Sequence, residues 1–382
     1  MDFRFTDEQE FFRAQVRDAV DRLVRPRVAE IDARAEFPRD LWDEFARLGY
    51  FGLRHPEQYG GMGADTVTSM IFFEELARGA CGFFMAVTVQ MLMGTYFLGR
   101  FGSEAVRERV LVPAIRGEKI AAICFTESQS GSDLGGTRTS AVRDGDGWVL
   151  RGTKEWITNG PICDFATVVA TTDPPAGLKG LSFFLVEQGM PGFSRGKPIG
   201  KLGAHGSVTG EVVLENVRVP GDHLLGEPGK GVSYLGDILN QVRVMTGLAA
   251  CSIAQEAMRD AREYARRREA FGKTIAEYQL IREKFARFWA TREAARTLLY
   301  RAAWMIDEKL DCLREAMAAK WLASEMCLRA VDDATRIYAG NAFSTEYPPE
   351  RFFRDARFLL SGGGTHEVLL DYLGRAYLKE QG

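Results

Sequence analysis

The hydrophobic pattern of this 382-residue chain changes its period twice, and that change limits the possible folds more than any other feature. Up to about residue 119 the apolar residues recur at helical spacing, as Phe12, Val16 and Val20 do. From Ile120 short β-branched runs alternate with glycines and prolines, and from about Gly231 the helical period returns. The pattern predicts an α+β protein that is mostly α, with an N-terminal helical domain, a middle antiparallel β domain and a C-terminal four-helix bundle. The predicted domains span residues 1–119, 120–230 and 231–382.

Residues 79–99 carry no charged side chain and are long enough to span a bilayer. The stretch contains Gly82, Gln90 and Gly94, however, and it lies in the middle of a domain between amphipathic helices. These features favour a buried core helix, so we expect no membrane insertion.

Charge and cysteine usage exclude several classes of function. The net charge of −3 gives no basic field, which argues against nucleic acid as a partner. The six cysteines form no CxxC pair and the four histidines are dispersed, so no metal site is expected. Scattered reduced cysteines, and a first four residues that lack a signal-peptide core, predict a cytoplasmic protein.

Two segments of the predicted β domain offer groups that could bind a ligand. Residues 123–133 read as a strand that enters a Gly/Ser loop, where backbone N–H groups and hydroxyls stand with little steric bulk. Residues 154–160 follow a predicted hairpin turn at residues 144–147. On a strand, Trp156 and Thr158 would share one face and could wall one side of a flat ring system. The residues alone fit plain turns equally well.

These two segments, in this order and at this separation, resemble the flavin-binding signatures of the acyl-CoA dehydrogenase family, and the likeness continues through most of the chain. The resemblance implies FAD bound between the β domain and the C-terminal bundle, in a homotetramer where a neighbouring subunit completes each flavin site. It implies that Thr126 contacts the flavin ring, that Ser132 lies near the pyrophosphate and the substrate, and that Trp156 and Thr158 flank the isoalloxazine. Phe125 and Ile123 belong to the same set, although relatives often have Tyr or Phe in place of Ile123.

A second motif, in residues 268–273, resembles the family's Arg-x-x-Phe-Gly sequence. The resemblance implies that Arg268, with Phe271 and the following Gln279, meets the diphosphate of a neighbour's flavin, where a planar cation suits phosphate oxygens. Without the resemblance, residues 266–268 would read as a solvated run near a helix C-terminus. The resemblance favours a functional role for Arg268 only.

Residues 336–357 resemble the family's third signature, with departures. Arg336 replaces the usual Gln and could strengthen diphosphate binding, while Gly340 keeps the pattern. Ala339 and Ala342 replace two usual glycines, and each added methyl could crowd a close approach to the cofactor. Further along, the resemblance implies flavin contacts for two residues near the last helix, Thr365 and Glu367.

The most informative departure is that neither of the two family positions for the catalytic base holds a basic group. The family carries a Glu either in a Glu-Gly-Thr motif, which here is Gly363-Gly364-Thr365, or before an Arg on a helix, which here is Val242 before Arg243. The catalytic residue is therefore unknown, although the Gly363 N–H could polarise a thioester carbonyl. The resemblance implies substrate contacts for four residues: Ser132, Asn240, Arg243 and Gly364.

Four residues are candidate substitutes for the missing base, and none fits well. Gln241 lacks useful basicity, and Glu367 is better interpreted as a structural or flavin-contacting residue. His366 and Asp237 are better interpreted as surface or capping residues.

The resulting hypothesis is an FAD-dependent oxidoreductase that acts on an acyl-CoA or acyl-carrier-protein thioester. Its reaction is α,β-dehydrogenation with an unusual base, enoyl reduction, or loss of a β-leaving group as in desulfinase-type relatives. Residues 361–364 are also similar to the crotonobetainyl-CoA reductase branch, which keeps the Glu that Val242 replaces here. The family usually passes electrons to an electron-transferring flavoprotein, and some relatives use oxygen. The rival hypothesis is a non-catalytic subunit that completes the flavin or substrate site of a base-bearing partner. A purely structural helical protein would not explain why three motifs occur together.

Overall fold

The computed structural model describes residues 4–379, and of Asp237 it describes the backbone only. Helices form the first part of the chain, and α1 begins at a capping box in which Thr6 accepts from the N–H of Gln9. The helices of this part are α1 (Asp7–Ala19), α2 (Val28–Arg34), α3 (Arg39–Arg47), α4 (Thr66–Leu76), α5 (Cys81–Thr88), α6 (Tyr96–Phe101), α7 (Glu104–Val106) and α8 (Val112–Ile115).

The uncharged stretch forms α5 and α6, joined by the π-helical segment Val89–Gly94. Within the described residues, Cys81–Phe101 is the one helix long and apolar enough to cross a membrane, and 83% of its most apolar window is buried inside the protein. A Cβ on Gly82 would stand 2.0 Å from the carbonyl oxygen of His205, so this glycine lets α5 pack directly on the β domain. The predicted buried core helix is therefore confirmed.

The middle of the chain forms one sheet with the order β6-β7-β3-β2-β4-β5-β8, and β1 lies beside β4. Its strands are β1 (Ala121–Cys124), β2 (Ser140–Asp144), β3 (Gly147–Thr158), β4 (Phe165–Thr171), β5 (Leu181–Glu187), β6 (Phe193–Pro198), β7 (Thr209–Val219) and β8 (Leu224–Leu225). Most neighbouring strands pair antiparallel, as predicted, but β1 pairs with β4 in parallel and β2 meets β4 in parallel at Ser140 and Thr171. The hairpin of β2 and β3 intervenes between β1 and β4, and a connection of that length permits parallel pairing.

The predicted hairpin is present with a tighter turn than expected. Asp144 and Gly147 pair with each other, so only Gly145 and Asp146 lie outside the strands. Beyond the turn, β3 continues to Thr158, and its pairing with β7 slips between Lys154 and Ile157. This slip is a β-bulge, which inserts an extra residue and redirects side chains locally.

The last part of the chain is helical again. Its elements are α9 (Gly231–Arg267), β9 (Glu269–Ala270), β10 (Lys273–Thr274), α10 (Gln279–Asp307), α11 (Leu313–Tyr338), α12 (Pro349–Asp355) and α13 (His366–Leu378). Helices α9, α10 and α11 pack on one another and α13 packs on α11. Buried alanines such as Ala250, Ala254 and Ala257 let the helices approach closely. The predicted α+β order of helices, sheet and helices is confirmed.

A buried charged cluster joins the N-terminal helices to the bundle. Glu74 of α4 accepts two hydrogen bonds from Arg296 of α10, at 2.6 and 2.9 Å, and one from the hydroxyl of Tyr300 at 2.7 Å. The hydroxyl of Ser252 on α9 donates to the backbone carbonyl of Glu74 at 2.6 Å. Because a buried carboxylate must be paired, this cluster fixes how α4, α9 and α10 sit together.

Candidate active site

A buried ion pair shapes the Gly/Ser loop that follows β1. The Lys154 ammonium donates to Glu127 at 2.7 Å and to the Phe125 carbonyl at 3.0 Å. The Glu127 carboxylate also accepts from the backbone N–H groups of Arg138 and Thr139, at 2.8 and 3.0 Å. Burial alone would raise the pKa of Glu127, but these hydrogen bonds lower it to about 2. The loop therefore keeps its shape through one ionised carboxylate.

The polar groups of this loop are free to meet a ligand. Within residues 4–379, the hydroxyls of Thr126, Ser132 and Thr158 make no hydrogen bond, and the N–H groups of Gly131 and Ser132 have no acceptor. The carbonyl of Thr126 accepts from the N–H of Glu155 at 2.8 Å, which draws this loop against the end of β3. Unused N–H and O–H donors beside an exposed indole fit a planar, phosphate-bearing cofactor such as FAD.

Trp156 has an unusual backbone for a bulky residue. Its φ is +59°, inside the bulge of β3, and 57% of its surface is exposed. Ile157 points into the core, while Thr158 on its other side is half-buried. The bulge thus presents the indole to solvent next to the loop, and strain of this kind is typical of functional positions.

Ile123 and Phe125, the other two residues predicted to contact the flavin from this segment, expose less of their side chains. Ile123 lies within β1 opposite Thr167, and its side chain is buried in the core. Phe125 is half-buried and packs edge-on against Phe183, with ring centroids 5.8 Å apart. Ile123 can therefore support the loop from below but offers little to a ligand.

The fold brings the two empty base positions together. A Cβ built on Gly363 would lie 3.6 Å from the Cα of Arg243, the residue after Val242, and 3.2 Å from the hydroxyl of Thr246. Val242 is buried, and the Thr246 hydroxyl donates to the Val242 carbonyl at 2.8 Å. Residues more than 100 positions apart in sequence thus line one small space, and none of these side chains is a base.

A lysine holds the glycine loop that carries Gly363. The buried Lys320 ammonium donates to the carbonyls of Leu359 and Gly364, at 2.7 and 2.9 Å. Burial, with a further contribution from Arg243, lowers the pKa of Lys320 to about 8. Gly363 has a φ of +73°, and its N–H has no acceptor within residues 4–379. This N–H is available to a thioester carbonyl, as predicted from the sequence.

Arg243 and Asn240 form the predicted substrate-contact pair on α9. The Arg243 guanidinium donates to the Asn240 side chain at 2.8 Å, and the amide of Asn240 reaches the sulfur of Cys312 at 3.5 Å. The Nε of Arg243 is buried with no partner, and burial lowers the pKa of this arginine. An unused buried N–H marks a position where an acceptor from a ligand would be favourable.

Three of the four candidate substitutes have described side chains, and none of these three supplies the atoms nearest to a Cβ built on Gly363. Gln241 accepts a hydrogen bond from Arg54, and Glu367 is exposed on α13. The surface interpretation of His366 was wrong, because the imidazole is buried and its Nδ1 lies 2.9 Å from Glu325 of α11. The side chain of Asp237 lies outside the described residues. Thr365 caps α13 by accepting from the N–H of Val368.

The second group of predicted cofactor residues begins at the C-terminal end of α9, far along that helix from the base positions. Arg268 follows α9 directly, and a rise of 1.5 Å per residue places it about 37 Å from Arg243 along that helix. Its side chain is exposed and makes no hydrogen bond or ion pair within residues 4–379. Phe271 has a φ of +53° and is 97% exposed, and Gln279 begins α10.

The loop after α11 belongs to this distant group. Arg336 is exposed and bonds to Asp332 at 2.7 Å, which raises the pKa of Arg336, and Gly340 lies on the surface. Ala339 has a φ of +51° and a ψ of −128°, which is a strained conformation for a residue with a Cβ, while the predicted crowding of the cofactor stays a prediction. Phe343 is 98% exposed. One chain thus presents these residues outward rather than toward its own Gly/Ser loop.

Two surface clefts of about 330 and 270 Å³ share no residue with this site. Both lie beside α1 and are lined by arginines and glutamates that are mostly ion-paired. They are interpreted as gaps around the charged cluster that joins the domains.

Three contributions to the site had no clear signal in the sequence. Lys320 lies mid-helix in α11, and Arg54 lies in a loop, so no motif marks either residue. Glu127 and Lys154 stand inside quoted motifs, but their pairing across 27 residues depends on the bulge and loop geometry. A lysine at a buried strand position was the one available hint.

Sequence comparison finds three domain models of one family along the chain. They are the acyl-CoA dehydrogenase N-terminal domain at residues 6–118, the middle domain at 122–217 and the C-terminal domain at 229–378. Together they cover nearly all of the described residues.

Individual proteins match over nearly their full lengths. Benzylmalonyl-CoA dehydrogenase of Aromatoleum aromaticum is 41% identical, with 97% of each chain covered. The caffeyl-CoA reductase–Etf complex subunit of Acetobacterium woodii is 35% identical, with 95% of this chain and 96% of that protein covered. The structure of butyryl-CoA dehydrogenase from Megasphaera elsdenii superimposes with a TM-score of 0.95 at 36% identity, covering 99% of this chain and 100% of that one.

Proposed function

This chain belongs to the acyl-CoA dehydrogenase family, and from that premise we propose that it oxidises an acyl thioester whose α-carbon carries a free carboxylate, with release of CO2. The protein is an FAD-dependent oxidoreductase that acts on acyl thioesters. The observation that carries the finer proposal is the pairing of Gly363 with Val242, two residues without a basic group, in the space where a base is needed.

Loss of a carboxylate makes the base unnecessary. The bond between the α-carbon and the carboxylate carbon breaks, CO2 leaves, and the electron pair of that bond forms the α,β double bond as hydride departs from the β-carbon. When bound, FAD supplies the two-electron acceptor for that hydride. No proton is removed from the α-carbon, so the reaction tolerates Gly363 and Val242 at the base positions.

The residues around this space suit such a step. Val242 is buried and apolar and Gly363 has no side chain, so the position of the family base offers no group that must be protonated and suits the release of neutral CO2. The free N–H of Gly363 can donate to the thioester carbonyl, where negative charge grows as the bond breaks. Lys320 keeps this N–H in place by holding the Gly364 carbonyl.

The names of the relatives support a class of substrate. Benzylmalonyl-CoA is a thioester with a carboxylate on its α-carbon and an aryl group on its β-carbon, and caffeyl-CoA also has an aryl group on its β-carbon. We therefore propose an arylmethylmalonyl thioester as substrate and an arylacrylyl thioester as product. Simple enoyl reduction is less well supported, because it would pass a proton to the α-carbon through the same position that lacks an acid or base.

The flavin site is proposed to need two subunits. Thr126, Ser132, Trp156 and Thr158 would hold FAD from one chain, with Arg268 of a neighbour at its diphosphate. Exposed apolar side chains of the C-terminal domain support self-association into a homotetramer, among them Phe271, Phe343 and Trp289, which is 68% exposed. An electron-transferring flavoprotein is the proposed electron acceptor, as the name of the Acetobacterium relative suggests.

The test is an anaerobic titration of the FAD-loaded protein with benzylmalonyl-CoA and with 3-phenylpropanoyl-CoA, which lacks the carboxylate. We expect benzylmalonyl-CoA to bleach the oxidised flavin band and to release one CO2 per flavin, and 3-phenylpropanoyl-CoA to leave the band unchanged. Bleaching of the wild type by 3-phenylpropanoyl-CoA would mean that a base exists elsewhere, and the proposal would be wrong.

Val242→Glu supplies the missing base and should let 3-phenylpropanoyl-CoA bleach the flavin, whereas Val242→Gln, of the same size, should not. Val242 is preferred over Gly363 for this test, because Gly363 has a left-handed φ and little room for a Cβ. A wild-type protein that retains no FAD and reacts with neither thioester would instead support the partner-subunit hypothesis.

A further inference from the structure

Arg54 is a half-buried cation that has no acidic partner within residues 4–379. It lies between Leu53 and His55, both buried, and the imidazole of His55 is fixed 2.9 Å from the Thr95 hydroxyl. The backbone around Arg54 is therefore rigid. Burial lowers the pKa of Arg54 to about 10, so the guanidinium remains charged at neutral pH.

Most N–H donors of the Arg54 guanidinium have no acceptor within residues 4–379. Its one hydrogen bond within residues 4–379 goes to the side-chain oxygen of Gln241. No carboxylate forms an ion pair with it in that part of the chain, and the nearby Asp307 is occupied by the N–H groups of Thr66 and Val67, at 2.8 and 3.0 Å. The remaining nitrogens of Arg54 are not sealed in the core, since only Arg13, Arg107, Arg243, Arg287 and Arg292 have buried guanidinium nitrogens without a partner there. Arg54 is thus half-buried where the N-terminal domain meets α9, with nitrogens that keep accessible surface.

The position of this space links it to the reaction. Gln241, which Arg54 holds, immediately precedes Val242 on α9, and the ring of Tyr96 on α6 lies close enough to influence the charge of Arg54. The guanidinium therefore reaches α9 from the N-terminal domain, at the residue next to Val242. A desolvated arginine fork with free donors binds carboxylate oxygens better than any other side chain.

We propose that Arg54 forms a carboxylate subsite that selects acyl thioesters bearing a second, free carboxylate. This inference rests on the proposed function for the identity of the substrate, but its chemistry concerns recognition and not the oxidation itself. Arg54 holds the carboxylated substrate in the acyl cavity, and a thioester with a plain apolar acyl group leaves the guanidinium without an anion.

The test measures binding without turnover. The holoenzyme is reduced with dithionite under anaerobic conditions, so that it cannot accept hydride, and is titrated by calorimetry with benzylmalonyl-CoA and with 3-phenylpropanoyl-CoA. The variants are Arg54→Met, Arg54→Lys and, as a matched control, Arg116→Met at an exposed arginine of the same domain. FAD content and the thermal midpoint of each variant report its folding.

We expect wild type to bind benzylmalonyl-CoA more tightly than 3-phenylpropanoyl-CoA. Arg54→Met should weaken the binding of benzylmalonyl-CoA by about tenfold to hundredfold, as expected for loss of charge-assisted hydrogen bonds. The affinity for 3-phenylpropanoyl-CoA should stay nearly unchanged. Arg54→Lys should keep part of the preference, and Arg116→Met all of it. If Arg54→Met binds both thioesters more weakly by the same factor, the inference is wrong. If Arg54→Met does not fold, the same result in Arg54→Lys would overturn it.

The outcome is separable from that of the proposed function. An Arg54-dependent preference without CO2 release by wild type would support the subsite and contradict decarboxylative oxidation. CO2 release by wild type with an unchanged preference in Arg54→Met would support the reaction and contradict the subsite.

Discussion

Ala339 ends α11 with a φ of +51° and a ψ of −128°, which is a conformation of the first central residue in a type II′ turn. Glycine adopts it readily, while a Cβ brings strain of about 1–3 kcal/mol. The alanine leaves this strain in a loop that also presents Gly340 and Phe343 to solvent. Ala339, which in the sequence is a small departure from the family motif, therefore adopts a strained backbone conformation.

Ala339→Gly should relieve this strain and raise the free energy of unfolding by about 1 kcal/mol, after the entropy that glycine adds to the unfolded chain. Thermal or urea unfolding measures the change. Ala14→Gly is the control, because Ala14 is exposed within α1, where glycine should lower stability by about 1 kcal/mol. Equal losses in both variants would show that Ala339 is not strained.

At the scale of elements, β1, the Gly/Ser loop and β3 act as one unit around the Glu127–Lys154 pair. Lys154 stands just before the bulge that exposes Trp156, and Glu127 stands just before the free donors of Gly131 and Ser132. The same pair therefore fixes both walls of the proposed flavin site. Loss of either charge would leave the other buried and unpaired, which is costly.

Stability at acid pH should depend on Glu127. Its folded-state pKa of about 2 lies below the value of an unfolded glutamate, so the stabilisation is complete above about pH 5 and is lost as the pH falls toward 2. The shift corresponds to about 3 kcal/mol. Glu127→Gln should lower stability at pH 7 by about this amount, flatten the acid limb of the stability curve and weaken FAD retention. Chemical unfolding at several pH values, with Glu215→Gln of β7 as the exposed control, measures it; a parallel acid limb in wild type and Glu127→Gln would contradict the assignment.

At the scale of the whole molecule, the residues proposed to hold FAD lie on two different domains of the chain. Thr126 and Trp156 belong to the β domain, and Arg268 lies at the far end of α9. In an oligomer with two-fold symmetry, the second half of each site would come from the neighbour. In the proposed homotetramer, FAD binding would therefore depend on assembly.

Complementation between two defective chains tests this arrangement. Arg268→Gln and Trp156→Ala should each lose most FAD alone, because each removes one half of every site. When the two are co-expressed, random pairing should leave about one quarter of the sites intact, and bound-flavin absorbance should recover to that extent. No recovery would place Arg268 and Trp156 in the same chain's site. Arg266→Gln, at a neighbouring exposed arginine, should retain FAD throughout.

How much could be predicted differs between local and long-range features. Periodicity and turn residues predicted the helices, the β2–β3 hairpin and the buried stretch at residues 79–99, because each depends on neighbours in sequence. The parallel pairing of β1 with β4 and the contact of Arg54 with Gln241, 187 residues away, depend on tertiary packing that no local pattern encodes. The absence of a base at Gly363 and Val242 was visible in the sequence. That the two positions share one space required the structure.

Helix α9 sets the distance between Arg243 and Arg268, which are proposed to serve two different active sites. It carries Val242 and Arg243 near its start and delivers Arg268 at its end, without a break over 37 residues. One inserted or deleted residue between Arg243 and Arg268 would turn one end relative to the other by about 100° and shift it by about 1.5 Å. In the proposed homotetramer, the substrate contact of one subunit and the diphosphate contact of the next would then lose their alignment together. The number of residues between Arg243 and Arg268 should therefore matter more than the identity of most side chains between them.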